Sequence, residues 1–328
     1  MAQIENALIR AQLQERRRRL GAALPKTHSP EHLAGLIRQV DAALENLDRG
    51  TYGLCETCHD AIEPERLLAN PLERFCLDHL TPDQQRALEQ DLEMAALIQG
   101  RLLPPARLLA PPWDIAHLYA PAGPVSGDYC DVVIPESGDG TLFFLLGDVS
   151  GKGVAASLLM AQLQAIFRSL VPAGLSAAQA VARANRLFCD FAINTHYSTL
   201  VFGRAGRDGA VELCYAGHCP ALWLNGRVAT PLPATGLPVG MFAEAEYAVQ
   251  TIRTAPGDRL VLYTDGVTES RDGDDAEYGL ARLAGVCGRH AGAAPAELVA
   301  ACRKDLADFR GARPPQDDIT LLVIGRTS

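Results

Sequence analysis

Apolar residues in "SPEHLAGLIRQVDAALENLDRG" recur at helical spacing, with Leu33, Leu36, Ile37, Val40, Leu44 and Leu47 on one face. Ser29 stands at the N-cap position, Pro30 at the first helical residue, and Gly50 marks the end, so the pattern predicts an amphipathic helix. A weaker stripe of Ile4, Leu8 and Ala11 predicts another helix over residues 2–21. With one apolar stripe apiece, the two are expected to pair as an antiparallel hairpin, with room for a second copy of the chain. Further on, Thr81, Pro82 and Gln84 form a capping box ahead of a third helix. Its Leu88, Leu92, Ala95, Gln99 and Leu102 alternate at spacings of four and three, a short coiled-coil-like seam, until Pro104 and Pro105 stop it.

From about residue 110 the pattern changes. Short apolar runs, "TLFFLLGD", "VELCYAG", "DRLVLYTDG" and "DDITLLVI", read as buried strands. Between them, "VAASLLMAQLQAIFRSL", "SAAQAVARANRLFCDFA" and "APAELVAACRKDLADF" read as helices. Strands and helices come in blocks rather than in strict alternation, which argues for α+β layers over a doubly wound parallel sheet. The expected organisation is a helical hairpin over 1–50, a cysteine-rich module over 51–81, a linker helix over 82–108 and a layered domain over 109–328.

Composition adds limits. At 328 residues, 48% hydrophobic and 21% charged, the chain has the make-up of an ordinary globular protein of more than one domain. No unbroken apolar run approaches the roughly 18–20 residues of a membrane span, and the first residues lack a secretory pattern. A cytoplasmic protein is the expectation, and nine cysteines, three clustered and six scattered, suit reduced thiols better than a disulfide framework. The net charge of −9 is uneven: residues 1–50 carry eight Lys/Arg against six Asp/Glu, leaving −11 for the remainder. That acidic body argues against nucleic-acid binding, and Arg16 to Arg19 read as a solvated helix face.

Cys55 and Cys58 form a C-x2-C pair, and Cys76 and His79 a C-x2-H pair 17 residues later. Zinc favours thiolate and imidazole in a tetrahedron, and four protein ligands leave no open position, so a structural zinc is expected. His59 is a poorer ligand because it adjoins Cys58. The surrounding "GTYGLCETCHDAIEPERLLANPLERFCLDH" closely resembles the zinc finger of the DksA/TraR family, including Gly50, Tyr52, Gly53, Ile62, Arg66, Leu67 and Pro71. Members of that family insert a coiled coil into the secondary channel of RNA polymerase. Here the hairpin is short, and its tip, "LGAALPKTHSP", lacks paired acidic residues. His79 also stands where the family commonly has cysteine.

Four acidic motifs follow: "SGDYCD", "LLGDVSGKG", "LYTDGVTES" and "QDDITLLVI". Asp148, Asp265 and Asp317/Asp318 sit at the ends of apolar strands, where an unpaired carboxylate is costly. Carboxylates without thiolate or imidazole company suit hard ions such as Mg2+ or Mn2+, and a pair of such ions can activate water for in-line attack on phosphorus. "GDVSGKG" is not a phosphate-binding loop, having three residues before Gly-Lys and no following Ser/Thr.

The ordered series "ALIQGRLLPP", "GPVSGDYCD", "GDVSGKGVAASLLMA", "YAGHCPALW", "GLPVG", "DRLVLYTDGVTES" and "DDITLLVI" resembles the SpoIIE-like group of PPM-type serine/threonine phosphatases over about residues 90–326. The resemblance implies a four-layered αββα sandwich with two Mn2+ or Mg2+ ions at one end of its sheets. It implies that Asp148 bridges both ions, that Asp265 and Asp317 hold one, and that Asp128 acts on the other side directly or through water. The Val149 carbonyl is a further candidate ligand, Asp318 remains an alternative to Asp317, and Lys152 is a candidate phosphate contact. Cys130 replaces an aromatic common in the group, and His218 reads as structural. The implied function is dephosphorylation of a small phosphoprotein, an anti-sigma-factor antagonist in a partner-switching cascade. The N-terminal module would regulate it through the linker helix and a homodimeric seam. A transcription regulator acting on RNA polymerase, with a non-catalytic C-terminal domain, is the alternative.

Overall fold

The structure, a computed structural model, describes residues 2–26, 30–80, 82–135, 140–191 and 196–327. It divides into two compact units, Met1–Asp91 and Leu92–Ser328. The expected caps Ser29 and Thr81 lie outside the described residues.

In the first unit, α1 (Ala2–Ala23) and α2 (Pro30–Arg49) form an antiparallel hairpin. α2 packs by its expected stripe and α1 by a different face from the expected one, since Ala11 is exposed and the side chains of Ile4 and Leu8 lie outside those described. Ile9 and Leu13 are buried against Val40 and Ala43. Arg10 pairs with Asp48 and Arg17 with Asp41, so the partner numbers fall as the arginine numbers rise and the helices run antiparallel. Three of the four consecutive arginines are held in surface ion pairs, Arg17 with Asp41 and both Arg18 and Arg19 with Glu15.

The finger follows, with α3 (Pro64–Ala69) as its helix. Five of the seven residues shared with the DksA/TraR pattern make contacts that hold the finger together. The Tyr52 hydroxyl donates to the Pro71 carbonyl at 3.0 Å, and Arg66 donates to the Phe75 carbonyl at 2.9 Å while pairing with Glu73 at 3.0 Å. Ile62 and Leu67 pack on Cys55 and Cys76 to make the small core.

The second unit begins within α4 (Pro82–Leu102) and continues into two antiparallel sheets. One sheet holds β1 (Arg107–Ala110), β2 (Trp113–Ala120), β7 (Leu222–Asn225), β8 (Val228–Pro231), β10 (Arg259–Tyr263) and β11 (Ile319–Arg326) in the order β1-β2-β11-β10-β7-β8. The other holds β3 (Asp128–Val133), β4 (Leu142–Val149), β5 (Ser198–Ala205), β6 (Ala210–Ala216) and β9 (Val249–Arg253) in the order β3-β4-β5-β6-β9. Trp113, Leu146, Val201, Leu213, Leu262 and Leu322 fill the space between the sheets.

The outer faces are covered by helices. α5 (Val154–Leu170) and α6 (Ala177–Phe191) press Met160, Leu163, Phe167 and Val181 against Leu145, Leu200 and Phe202. α8 (Gly279–Arg289) and α9 (Pro295–Arg310) bury Leu283, Val286, Leu298 and Cys302 against Val261, Leu321 and Val323. The result is the expected αββα sandwich. Each sheet has two apolar faces, so each needs a helical layer outside as well as a partner sheet inside. One helical stretch, Val154–Ala173, is long and apolar enough to cross a membrane on length and composition, yet its Ala156, Met160, Leu163 and Phe167 are buried in this core. Cys130 is wholly buried between the sheets, consistent with a packing role.

Candidate active site and zinc centre

The strand ends converge. β3 and β4 pair so that Asp128 lies directly across from Asp148. Opposite them, β10 runs out through Thr264 into the short helix α7 (Asp265–Thr268), beside Asp317 and Asp318 at the entrance to β11. A methyl group built on Gly266 would sit 1.9 Å from the Asp318 carbonyl oxygen and 3.4 Å from the Asp317 Cβ, so α7 and the start of β11 meet only because position 266 is glycine. Gly127 serves the same end, since a Cβ there would be 2.8 Å from the Val149 carbonyl oxygen and 3.1 Å from Asp148 Oδ1.

Asp128 is buried, and its Oδ2 accepts hydrogen bonds from the hydroxyls of Thr264 at 2.8 Å and Thr320 at 2.6 Å. Those bonds cross from one sheet to the other. Burial, then the Asp148 charge, pushes the Asp128 pKa well above the usual carboxylate range, against the pull of the two hydroxyls. Burial, then the charges of Asp265, Asp317 and Asp318, raises Asp148 to about 7, with Lys152 opposing. Asp265 is raised for the same reasons, burial first and Asp317 next.

The two adjacent aspartates have different tasks. Asp318 accepts from the Ala122 N–H at 2.7 Å and the Gly127 N–H at 3.0 Å, so both its oxygens brace the segment leading into β3. Asp317, with its side chain about half exposed, faces Lys152 Nζ at 3.1 Å. That leaves Asp317 turned toward the acid group and Asp318 committed elsewhere. Lys152 also donates to the Gln316 carbonyl at 2.8 Å, which fixes its ammonium at the rim. His218 is buried, with Nδ1 3.0 Å from the Thr199 hydroxyl, and burial lowers its pKa to about 4. A neutral imidazole held in this way is a packing element.

Thr264 and Thr320 went unnoticed in the sequence, and Gln99 was read only as a seam residue. Thr264 and Thr320 orient Asp128, and Gln99 of α4 is buried with its side chain on the backbone of Ser126, accepting from N–H at 3.0 Å and donating to C=O at 2.7 Å. The Ser126 hydroxyl in turn accepts from the Asp128 N–H at 3.0 Å. The threonines were visible as lone hydroxyls beside Asp265 and Asp318 in otherwise apolar runs. Gln99 was visible as the one polar residue on an apolar seam.

The acid group is an all-oxygen donor set in which mutual repulsion and burial oppose ionisation, which fits hard divalent cations. The finger offers a different set. Ligand atoms of Cys55, Cys58, Cys76 and His79 lie within 4.8 Å of one another, and His59 stands outside the quartet. Cys76 Sγ is 3.1 Å from His79 Nδ1 and 3.8 Å from Cys58 Sγ, a spacing suited to one tetrahedral zinc. Burial opposes ionisation of Cys55, but backbone N–H groups of Cys58, Cys76 and Thr57 outweigh it and bring the thiol down to about 6.

Comparison with known proteins agrees with this geometry. The profile of Stage II sporulation protein E (SpoIIE) matches residues 138–327, and that of the prokaryotic dksA/traR C4-type zinc finger matches residues 50–78. The fold is that of the PP2C-type, or PPM, phosphatases. Since the SpoIIE match spans more than half of the chain, the protein belongs to the SpoIIE family, with a DksA/TraR-type finger ahead of that domain. It is 26% identical over 265 residues to protein IcfG of Synechocystis, covering 72% of this chain and 41% of IcfG. With phosphoserine phosphatase RsbU of Bacillus subtilis it shares 28% over 190 residues, covering 57% of this chain and 56% of RsbU. The chain thus spans about half the length of the curated relatives it matches. Among solved structures, the RsbU and RsbW domains of Rv1364c from Mycobacterium tuberculosis are 27% identical with a TM-score of 0.58, covering 66% of this chain and 60% of that one. The SiaA-PP2C domain of Pseudomonas aeruginosa has the same fold, with a TM-score of 0.65 at 21% identity over 75% of this chain and 99% of that one.

Two predictions follow from the two centres. Zinc analysis of the purified protein is expected to give about one ion per chain, and Cys76→Ser is expected to lose it; a metal-free wild type would refute the quartet. For Asp148, the folded pKa of about 7 lies above an unfolded value of roughly 3.9, so the folded state binds the extra proton between them. Stability without Mg2+ or Mn2+ should therefore fall as pH rises from about 4 to 7. In EDTA at pH 8, Asp148→Asn is expected to raise the melting temperature by about 2–4 °C, the shift that roughly 1 kcal/mol gives in a domain of this size. A lower melting temperature would contradict the assigned charge repulsion.

Proposed function

We propose that the protein is a metal-dependent protein-serine/threonine phosphatase of the cytoplasm. Its substrate is a small phosphoprotein, an anti-sigma-factor antagonist in a partner-switching pathway. The observation that supports this reading is the electrostatic group around Asp148, which lies across from Asp128 and feels the charges of Asp265 and Asp317, at one end of a SpoIIE-type sandwich. It is supported by relatives named phosphoserine phosphatases, and by a structural relative that joins an RsbU domain to an RsbW domain.

Asp148, Asp265, Asp317 and Asp128 would hold two Mn2+ or Mg2+ ions, with Asp148 as the central ligand and the Val149 carbonyl as a further candidate donor. Bound there, the ions supply Lewis-acid activation of water and charge stabilisation for in-line attack on phosphorus. The chain's own residues organise the approach. Thr264 and Thr320 occupy Asp128 Oδ2, leaving Oδ1 to face the cation or a water. Lys152 supplies positive charge at the rim beside the incoming phosphate. Buried, neutral His218 stays out of proton transfer, so the leaving oxygen takes its proton from solvent within the site.

The N-terminal module regulates this site through α4. Gln99 grips Ser126 by both N–H and C=O, and Ser126 caps the N–H of Asp128, so a shift of α4 moves the segment that carries a metal-site carboxylate. Met94, Leu97 and Ile98 are exposed on the same helix and supply the apolar contact for a homodimer.

Mn2+-dependent hydrolysis of an aryl phosphate and of a phosphoserine protein tests the activity. Asp148→Asn is expected to lower both rates at least about 100-fold, and equal rates would sink the enzymatic reading. For the α4 linkage, Gln99→Ala should raise the Mn2+ concentration for half-maximal activity by about 3–30-fold. An unchanged Mn2+ dependence would remove Gln99 from the regulatory path.

A further inference from the structure

The loop between β8 and β9 contains "LPVGMFA", residues 237–243, an uncharged stretch whose Met241 and Phe242 are 47% and 58% exposed. Large apolar side chains standing in water are ordinary when single and loosely held. These are neither. Asn185 of α6 is fully buried and spends its whole side chain on this loop: Nδ2 donates to the carbonyls of Phe242 at 2.8 Å and Ala243 at 3.2 Å, and Oδ1 accepts from the Gly240 N–H at 2.9 Å. Gly240 lies at φ +94°, and a side chain there would run into the Phe188 ring at 2.8 Å, so the backbone is fixed in a form other residues rarely adopt. The loop is a rigid ledge that presents two apolar side chains.

The ledge is continuous with the acid group. Val239 and Ser198 exchange two backbone hydrogen bonds of 2.8 Å, which sets Gly240 across from Tyr197, itself 38% exposed. Tyr197 and Ser150 are joined twice, by the Ser150 N–H to the Tyr197 carbonyl at 2.8 Å and by the Tyr197 N–H to the Ser150 hydroxyl at 2.9 Å. Ser150 is two residues from Asp148. Two strand spacings and two residues, about 12 Å, separate the ledge from the acids, roughly the reach of four residues of extended chain.

We infer that Tyr197, Met241 and Phe242 form the docking surface for the phosphoprotein substrate, and that they accept an apolar side chain two to four residues from the phosphoserine. This rests on the phosphatase reading above. The occupant follows from position, because the ledge adjoins the acid group through Tyr197 and Ser150, within reach of the residues that flank a phosphoserine held there. The chemistry follows from the exposed Met241 and Phe242, which offer an apolar surface; exposed Glu244 and Glu246 follow them and disfavour only an acidic flank. Catalysis itself does not use these side chains, so a small aryl phosphate that never reaches them is hydrolysed without their help.

The test uses the full chain with Mn2+, para-nitrophenyl phosphate, and two phosphoserine peptides of equal length and charge. One peptide carries leucines at two to four residues from the phosphoserine, and the other carries serines there. The wild type is expected to favour the leucine peptide by about tenfold in kcat/KM, through KM, as burial of one large apolar side chain implies. Met241→Ser with Phe242→Ser should abolish that preference and leave para-nitrophenyl phosphate hydrolysis unchanged, which also shows that the variant is folded. Equal use of the two peptides by the wild type, or a preference that survives the substitutions, overturns the ledge as a dock. A change in sedimentation of the variant instead of peptide selectivity assigns the surface to a second copy of the chain and likewise overturns it. Failure of the wild type to hydrolyse any of the three substrates overturns the phosphatase reading, and the dock with it.

Discussion

One buried carboxylate ties the two sheets together where the chemistry lies. Asp128 begins β3 in one sheet and receives hydroxyls from Thr264 and Thr320 at the ends of β10 and β11 in the other. A buried ionised group needs such partners, because leaving it bare in a low-dielectric interior costs several kcal/mol. The two threonines satisfy one oxygen and no more. The carboxyl group, paired in register with Asp148 and raised in pKa by burial and then by the Asp148 charge, is the start of a site and also the source of its strain.

That strain spreads through the acid group. Asp148 and Asp265 resist ionisation because burial and neighbouring charges act in the same direction, with Lys152 as the opposing cation at the rim. Backbone contacts too close for any side chain at Gly127 and Gly266 hold the carboxylates in this arrangement despite their repulsion. Asp318 braces the approach to β3 by binding two N–H groups, and Gln99 holds the adjoining Ser126. Function and stability pull against each other here, and divalent cations bound there would reconcile them by favouring the ionised set. The finger poses the same problem in softer chemistry, where a zinc ion would favour the ionised thiols.

Much of this was legible in the sequence where a pattern repeats or a ligand set has fixed spacing. α5 matches the run "VAASLLMAQLQAIFRSL" residue for residue, and α2 and α9 follow their stripes closely. The zinc quartet was readable because its ligands lie near one another along the chain. α8 was not, since Gly279, Gly285 and Gly288 interrupt its stripe, and only burial of Leu283 and Val286 against the sheet makes it a helix. The seam of α4 was read as one continuous surface, whereas Gln99 faces its own domain and Met94, Leu97 and Ile98 face solvent.

By itself, the sequence determined the kinds of chemistry available: soft ligands at short spacing for zinc, hard carboxylates at strand ends for a divalent cation, and apolar periods for the layers. Those depend on residue type and local spacing, which are written along the chain. The tertiary structure alone decided which carboxylate does what. Asp317 and Asp318 are chemically identical neighbours, so only the packing of residues 122–127 against one of them separates brace from candidate ligand. The threonines on Asp128, the grip of Gln99 and the ledge held by Asn185 are likewise contacts across 27 to 192 residues of chain, which no local pattern encodes.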